Sequence, residues 1–260
     1  MPNILLNKKV VLKDIIYDSS ALLFFKKVEG NGGQLTLLEK AAVNGYVIAL
    51  KSAGIWDSPL IADYPFVGGT AISHAVNLKN PGTFDLTFVN TIASDHVFNG
   101  WTPNGTTSYA NTEIAPDPDM GANSTCCEFY SRTDVVGDVE IGSVTTSPSS
   151  ILQLRVAGQS YATPCLMDSY NGTVGEGRIL GGTVTTSKSH HLFSRESATA
   201  ATIYINGVSH ISSTTGGGTR PTHVLYLGAR NNIGTTDNFD SKQCAGAGLY
   251  SAGLTAAQAL

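Results

Sequence analysis

The dipeptide Asn206-Gly207 constrains this chain more than any other local feature. It follows the run Ala201-Thr-Ile-Tyr-Ile205 and precedes Val208. A β-branched and aromatic segment therefore runs into the residue pair best suited to two successive positive φ values. That predicts a two-residue hairpin, which commits its flanks to antiparallel pairing. Further candidate strands fall at 83–88, 124–131, 139–144, 151–156, 178–185 and 224–227, separated by closely spaced turn signals. Many short strands of this kind argue for a sandwich rather than a parallel sheet, and no fixed-period repeat supports a solenoid or propeller.

At 260 residues the chain is long enough to bury a sizeable core, and with 14% charged residues it is too apolar for disorder. Its 28 glycines suit a turn-rich β protein. A net charge of −4 offers no electrostatic footprint for nucleic acid, and the pairs Lys8-Lys9 and Lys26-Lys27 read as solvated strand flanks. Ala21-Leu-Leu-Phe-Phe25 is far too short to span a bilayer, so no membrane insertion is expected. The first residues lack the order of a secretory signal, which leads to an expectation of synthesis in a reducing cytoplasm. Cys126 and Cys127 are neighbours whose side chains diverge on a strand, and Cys165 and Cys244 lack metal-type spacing. All four read as buried free thiols.

Three regions separate along the chain. Residues 1–33 read as a few short strands, an attachment or oligomerisation segment that packs on the main domain or on another subunit. Residues 34–57 hold the one convincing helix, opened by the capping-box spacing Thr36-Leu-Leu-Glu39 and closed at Gly54. Its expected apolar stripe is Leu38, Ala42, Tyr46, Val47, Leu50 and Ala53, with Gly45 as an interior flaw that marks close packing. Residues 58–260 form the sandwich.

The markers Tyr204-Ile-Asn-Gly207, Leu225-Tyr-Leu-Gly228, Phe239-Asp240, Ala247-Gly-Leu-Tyr250 and Gly253-Leu-Thr255 occur in an order that resembles the closing strands of laminin-G-like, concanavalin A-like proteins. The segment Trp101-Thr-Pro-Asn-Gly-Thr-Thr-Ser-Tyr-Ala-Asn-Thr112 is similar to the strand that opens such a sandwich. Glu39-Lys-Ala-Ala42, Leu50 to Trp56, Tyr64-Pro-Phe-Val-Gly-Gly69 and Asn77 to Pro81 resemble a segment of bacteriophage and prophage structural proteins. The resemblance covers roughly residues 36 to 255. It implies a mainly β fold, a concanavalin A-like antiparallel sandwich of jelly-roll type with one N-terminal helix. It also implies a virion protein exposed on capsid, tail or fibre. The stretch Phe239-Asp-Ser-Lys-Gln-Cys departs from the family pattern by lacking the acidic residue that sits near calcium in laminin-G domains.

Retaining glycosidases of sandwich type carry E-x-D-x-x-E on one strand, which sets two carboxyl groups about 5 Å apart. Here the nearest run is Asp134-Val-Val-Gly-Asp138-Val-Glu140, read as a strand with Asp138 and Glu140 on a wet face. His190 and His191 diverge and read as surface or inter-subunit contacts. No GxSxG, P-loop, GxGxxG or HExxH is present. Candidate sugar platforms are Trp101, Tyr109 with Asn111, Tyr161, and Tyr170 with Asn171, because aromatic faces pack on sugars while amides bond hydroxyls. Core packing is the competing reading for those aromatics. Asp117 and Asp119, near Asn123, and Asp237 with Asp240 are candidate metal ligands, with calcium the implied ion. No catalytic residue and no other cofactor is expected. The function expected is non-enzymatic: a virion surface component that associates with other virion proteins and with copies of itself, a trimer being the symmetric form considered. The alternative is a lectin-like module that binds a host-surface glycan, and a glycoside hydrolase or lyase ranks behind both.

Overall fold

The computed structural model describes residues 16–157, 160, 165–173 and 176–259. Tyr161 and residues 1–15 lie outside that set. Helix α1 (Ser19–Gly30) occupies part of the region expected to form short strands. The reason is its periodicity. Ala21, Phe24, Phe25 and Val28 are all buried at helical spacing, while Asp18 caps the first turn by accepting from Ser20 N at 2.9 Å. Helix α2 (Leu37–Ser52) starts on the expected capping box. Glu39 N donates to Thr36 Oγ1 at 3.2 Å, and Thr36 N donates to Glu39 Oε2 at 2.7 Å. Gly54 ends it at φ 69.

The buried stripe of α2 differs from the one expected. Val43, Asn44, Val47 and Leu50 face inward, whereas Leu38 is exposed and Gly45 has open space where a side chain would go. Two partners, not one, set this phase. Asp18 N donates to Asn44 Oδ1 at 2.6 Å, and Lys51 reaches Asp18 at 2.6 Å, so α1 claims one side of the helix. The sheet below claims the other.

Among the described residues the strands in chain order are β1 (Leu60–Tyr64), β2 (Thr87–Val89), β3 (His96–Val97), β4 (Gly100–Trp101), β5 (Tyr109–Asn111), β6 (Thr125–Ser131), β7 (Ile141–Thr146), β8 (Ser150–Arg155) and β9 (Cys165–Ser169). They continue as β10 (Arg178–Gly181), β11 (His190–Ser197), β12 (Ala200–Ile205), β13 (Val208–Ser213), β14 (Tyr226–Leu227), β15 (Arg230–Asn232), β16 (Thr235–Asp237) and β17 (Cys244–Tyr250). One sheet of eight runs β13-β12-β11-β6-β17-β4-β3, with β1 also on β17. The other, of nine, runs β10-β9-β8-β7-β14-β5-β2, and the β15–β16 hairpin joins it through parallel pairing of β15 with β7. All other pairs are antiparallel, including the β12–β13 hairpin, where Asn206 and Gly207 have φ 50 and 75.

The two sheets enclose one apolar core that includes Trp101, Phe129, Ile141, Leu154, Met167, Phe193 and Leu227. A second core lies on the other side of the eight-stranded sheet, where Phe24, Val28, Val47 and Leu50 of the helices meet Cys126, Leu192, Tyr204 and Tyr250. The molecule is thus three layers: helices, sheet, sheet. Alternation along β6 divides Cys126 and Cys127 between the two cores, and all four cysteines are free and buried. Among the described residues the helices α1 and α2 cover the outer face of the eight-stranded sheet, and polar side chains collect on the outer face of the nine-stranded sheet.

Candidate functional site

The register of the nine-stranded sheet lines up a row of charged and amide side chains. Arg178 on β10 lies opposite Asp168 on β9, and Asp168 opposite Gln153 on β8. Arg178 Nη2 donates to Asp168 Oδ2 at 2.8 Å, and Gln153 Nε2 donates to the same oxygen at 2.6 Å. Gln153 Oε1 accepts from Arg230 Nη1 at 3.2 Å. Arg230 then grips Asp237 with two bonds of 2.8 Å, and Asn232 Nδ2 adds a third at 2.8 Å. Paired guanidinium–carboxylate forks are geometrically stiff; Asp168 and Gln153 are buried in the row, while Arg178, Arg230 and Asp237 stay partly exposed.

Gly142 on β7 joins this row to an aromatic pair. It is the register partner of both Arg230 and Tyr226, and a Cβ there would lie 3.1 Å from the Arg230 stem. Tyr226 stacks on Tyr109 with ring centroids 4.3 Å apart and planes 28° apart. Burial and the neighbouring Tyr109 push the Tyr226 phenol up to about 12, so it remains a neutral donor at physiological pH. Asn111, directly opposite Tyr226, donates through Nδ2 to Glu113 at 2.7 Å. Tyr226 is buried beneath this contact, so half-buried Tyr109 beside Asn111, Arg230 and Asp237 forms the surface able to recognise a polyhydroxy ligand.

Of the residues singled out as sugar platforms, Tyr109 and Asn111 come together here. Trp101 and Tyr170 do not. Trp101 is fully buried between the sheets, parallel to Phe66 at 6.2 Å and edge-on to Phe88 at 5.2 Å. Tyr170 is also fully buried, near the guanidinium of Arg195. Tyr161 lies outside the described residues. The ladder Arg178–Asp168–Gln153–Arg230 escaped the sequence reading, although the alternation Leu152-Gln-Leu-Arg155 carries part of its signal.

The acidic loop residues are held by cations or amides already. Asp117 pairs with Arg220 at 2.7 Å, and Asp119 Oδ2 accepts from Ala115 N at 2.9 Å. Asp237 belongs to Arg230, and buried Asp240 contacts Lys242 at 3.0 Å. Among the described residues no three His, Cys, Asp or Glu side chains converge as a metal site.

Asp138 and Glu140 part company, which corrects the expectation of a shared wet face. Val139 and Glu140 are both fully buried, because the strand starts only at Ile141 and the backbone before it does not alternate in and out. Asp138 reaches Arg155 at 3.3 Å, while Glu140 Oε1 meets His191 Nδ1 at 2.9 Å. His190 and His191 do diverge, and neither is a bare surface residue: His190 bonds Glu128 at 2.8 Å, and His191 is wholly buried. His191 Nε2 also bonds Ser189 Oγ at 2.7 Å, giving a Ser–His–Glu chain. All three side chains are buried and Lys242 stands 3.4 Å from Glu140, so no substrate reaches the serine oxygen. This chain seals one end of the core.

No protein-family model and no curated protein matches the chain. Solved structures do match it. Domain 4 of AbnA, a GH43 extracellular arabinanase from Geobacillus stearothermophilus in complex with arabinotriose, is 15% identical. That match covers 78% of this chain and 97% of the domain at a TM-score of 0.50. A Trypanosoma rangeli sialidase mutant displaying trans-sialidase activity is 14% identical over 92% of this chain and 37% of its own length, at 0.54. The same organism's sialidase in complex with sialic acid is 13% identical over 77% and 32%, at 0.51. The chain spans about a third of those sialidases. These likenesses define its class, a mainly β two-sheet antiparallel sandwich of the lectin-like kind.

Proposed function

We propose that this chain is a non-catalytic carbohydrate-binding module that takes glycan on the outer face of the nine-stranded sheet. The observation that carries this reading is the Tyr109–Tyr226 stack set beside the Arg178–Asp168–Gln153–Arg230–Asp237 ladder. Half-buried Tyr109, backed by buried Tyr226, supplies an apolar platform, and the partly exposed Arg178, Arg230, Asp237 and Asn111 supply oriented donors and acceptors. Asp168 and Asp237 are each held in an arginine fork, so neither is free to act as an acid or nucleophile. The likeness to an arabinanase domain solved with arabinotriose supports the same reading at the level of fold.

A glycan array followed by titration, with arabinotriose and sialylated oligosaccharides in the panel, tests it. Tyr109→Ala and Arg230→Ala are each expected to weaken binding by about tenfold or more, the scale of a lost stacking or charge-assisted contact. A wild-type chain that binds no glycan, or variants that bind equally well, would sink the proposal. Display of this module on a phage particle is a separate proposal, resting on the Tyr64-Pro-Phe-Val-Gly-Gly69 segment. Its test is detection of the chain in purified particles by mass spectrometry.

A further inference from the structure

A cavity of about 390 Å³ lies between α2 and the outer face of the eight-stranded sheet, remote from the Tyr109–Tyr226 surface. Its floor is a row across three strands. Asp63 on β1 is the register partner of Gly248 on β17, and Gly248 is the register partner of Glu128 on β6. A Cβ on Gly248 would sit 2.4 Å from Glu128 Oε1, so only glycine lets that carboxylate lean over β17 on the side of Asp63. Tyr46 OH reaches down from α2 to Asp63 Oδ2 at 2.8 Å. Tyr250 OH donates to Glu128 Oε1 at 2.6 Å, and His190 Nε2 lies 2.8 Å from Glu128 Oε2. Above this floor the walls are apolar, with Val43, Leu50, Leu192 and Leu254 among them.

We propose that this cavity binds a small alkylammonium group, with its aliphatic part against Val43, Leu50, Leu192 and Leu254 and its charge between Asp63 and Glu128. Two carboxyl groups share the floor, and no lysine or arginine lines the cavity. His190, the one basic side chain lining it, is committed to Glu128. A sugar would leave hydroxyl groups against leucine and valine without partners, and an anion would meet two carboxyl groups. A bare metal ion would leave the apolar space unfilled. An ammonium on an aliphatic stem satisfies both halves of the site.

The chemistry of the floor adds a signature. Asp63 is faced by Tyr46 from α2, by Glu128 from β6 and by Tyr250 from β17, with His190 of β11 beyond Glu128. Burial, and then the charge of Glu128, hold the Asp63 carboxyl well above the usual range. Burial would raise Glu128 too, but the bonds from His190 and Tyr250 keep it ionised. An entering ammonium favours the ionised form of Asp63, so binding shifts its proton toward the buffer. Free amines and the lysine side chain of a partner share this chemistry.

Calorimetric titration of the whole chain with n-butylammonium at pH 7, in phosphate and in HEPES, tests the inference. One saturable site is expected, with proton release on binding, read from the difference in heat between the buffers. n-Butanol is expected to bind about tenfold or more weakly without proton release, the scale of a lost charge-assisted bond. Asp63→Asn is expected to abolish the release. Should that variant not fold, the amine–alcohol comparison on the unaltered chain still decides. Nα-acetyl-lysine amide separates the sources: tighter binding than n-butylammonium assigns a partner's lysine, and weaker binding a free amine. Absence of saturable binding by both amines, equal affinity for the alcohol, or unchanged release in Asp63→Asn overturns the inference.

Discussion

His191 and Glu140 meet through a 2.9 Å contact in which neither side chain touches solvent. Lys242, also fully buried, stands 3.4 Å from Glu140 and 3.0 Å from Asp240, so one buried lysine bridges two buried carboxyl groups at one end of the inter-sheet core. Removing Lys242 leaves both carboxyl groups buried without their cation. Lys242→Met is expected to cost about 3–5 kcal/mol, whereas replacing Lys242, Glu140 and Asp240 together with apolar residues costs less than the single change. Urea unfolding checks both. A single variant within about 1 kcal/mol of wild type would show that the cluster is not coupled in this way.

Acid should attack the fold at a second pair. His74 and His96 approach at 3.1 Å through their Nδ1 atoms, inside a packed cluster with Phe66 and Phe88. Burial, and then the neighbouring His96, push His74 down to about 3, and burial lowers His96 as well. A histidine depressed in the folded state binds fewer protons there than when unfolded. Its contribution is intact above the unfolded value of 6.5 and is lost as pH falls from 6.5 toward 3, at about 1.4 kcal/mol per pH unit. His74→Phe keeps the ring and removes the titration. The stability gap between wild type and variant should therefore change in the variant's favour between pH 7 and pH 4. A gap that stays constant across that range would refute the assignment.

The β12–β13 turn offers a local test. Gly207 has φ 75, a region where a side chain costs about 1–2 kcal/mol. Asn206 Oδ1 also accepts from His190 N at 2.9 Å, which ties the turn to β11. Gly207→Val is expected to lower the melting temperature, and Asn206→Ala to lower it again in the double variant. Unchanged melting in both would mean that the turn does not set the register.

Thiol chemistry reports on the layering. Burial pushes all four thiols up, Cys165 to about 11. Iodoacetamide at pH 8 should leave the native chain unlabelled and modify four cysteines per chain in denaturant. Rapid native labelling of Cys126 or Cys127 would contradict the separation of the two cores.

Local signals were readable wherever a short stretch carries its own physics. The Thr36–Glu39 box and the Asn206-Gly207 turn each satisfy backbone groups within four residues, so both appear in the structure at the expected positions. The run at Ala21–Phe25 was harder, because a short apolar stretch fits a strand or a helix until its burial partners are known. The platforms divided for the same reason. Tyr109 lies on an outer face and Trp101 between two sheets, though both sit on β strands close together in the chain.

By itself the sequence determined that the chain folds as an antiparallel sandwich with free thiols and a capped helix, because alternation, turn chemistry and capping act over a few residues. Only the tertiary structure decided where polar groups meet. Arg178, Asp168, Gln153 and Arg230 are neighbours through strand register, and Asp63 and Glu128 approach each other across Gly248. Register depends on how whole strands pack, and a slip of one residue would send each of these side chains to the opposite face.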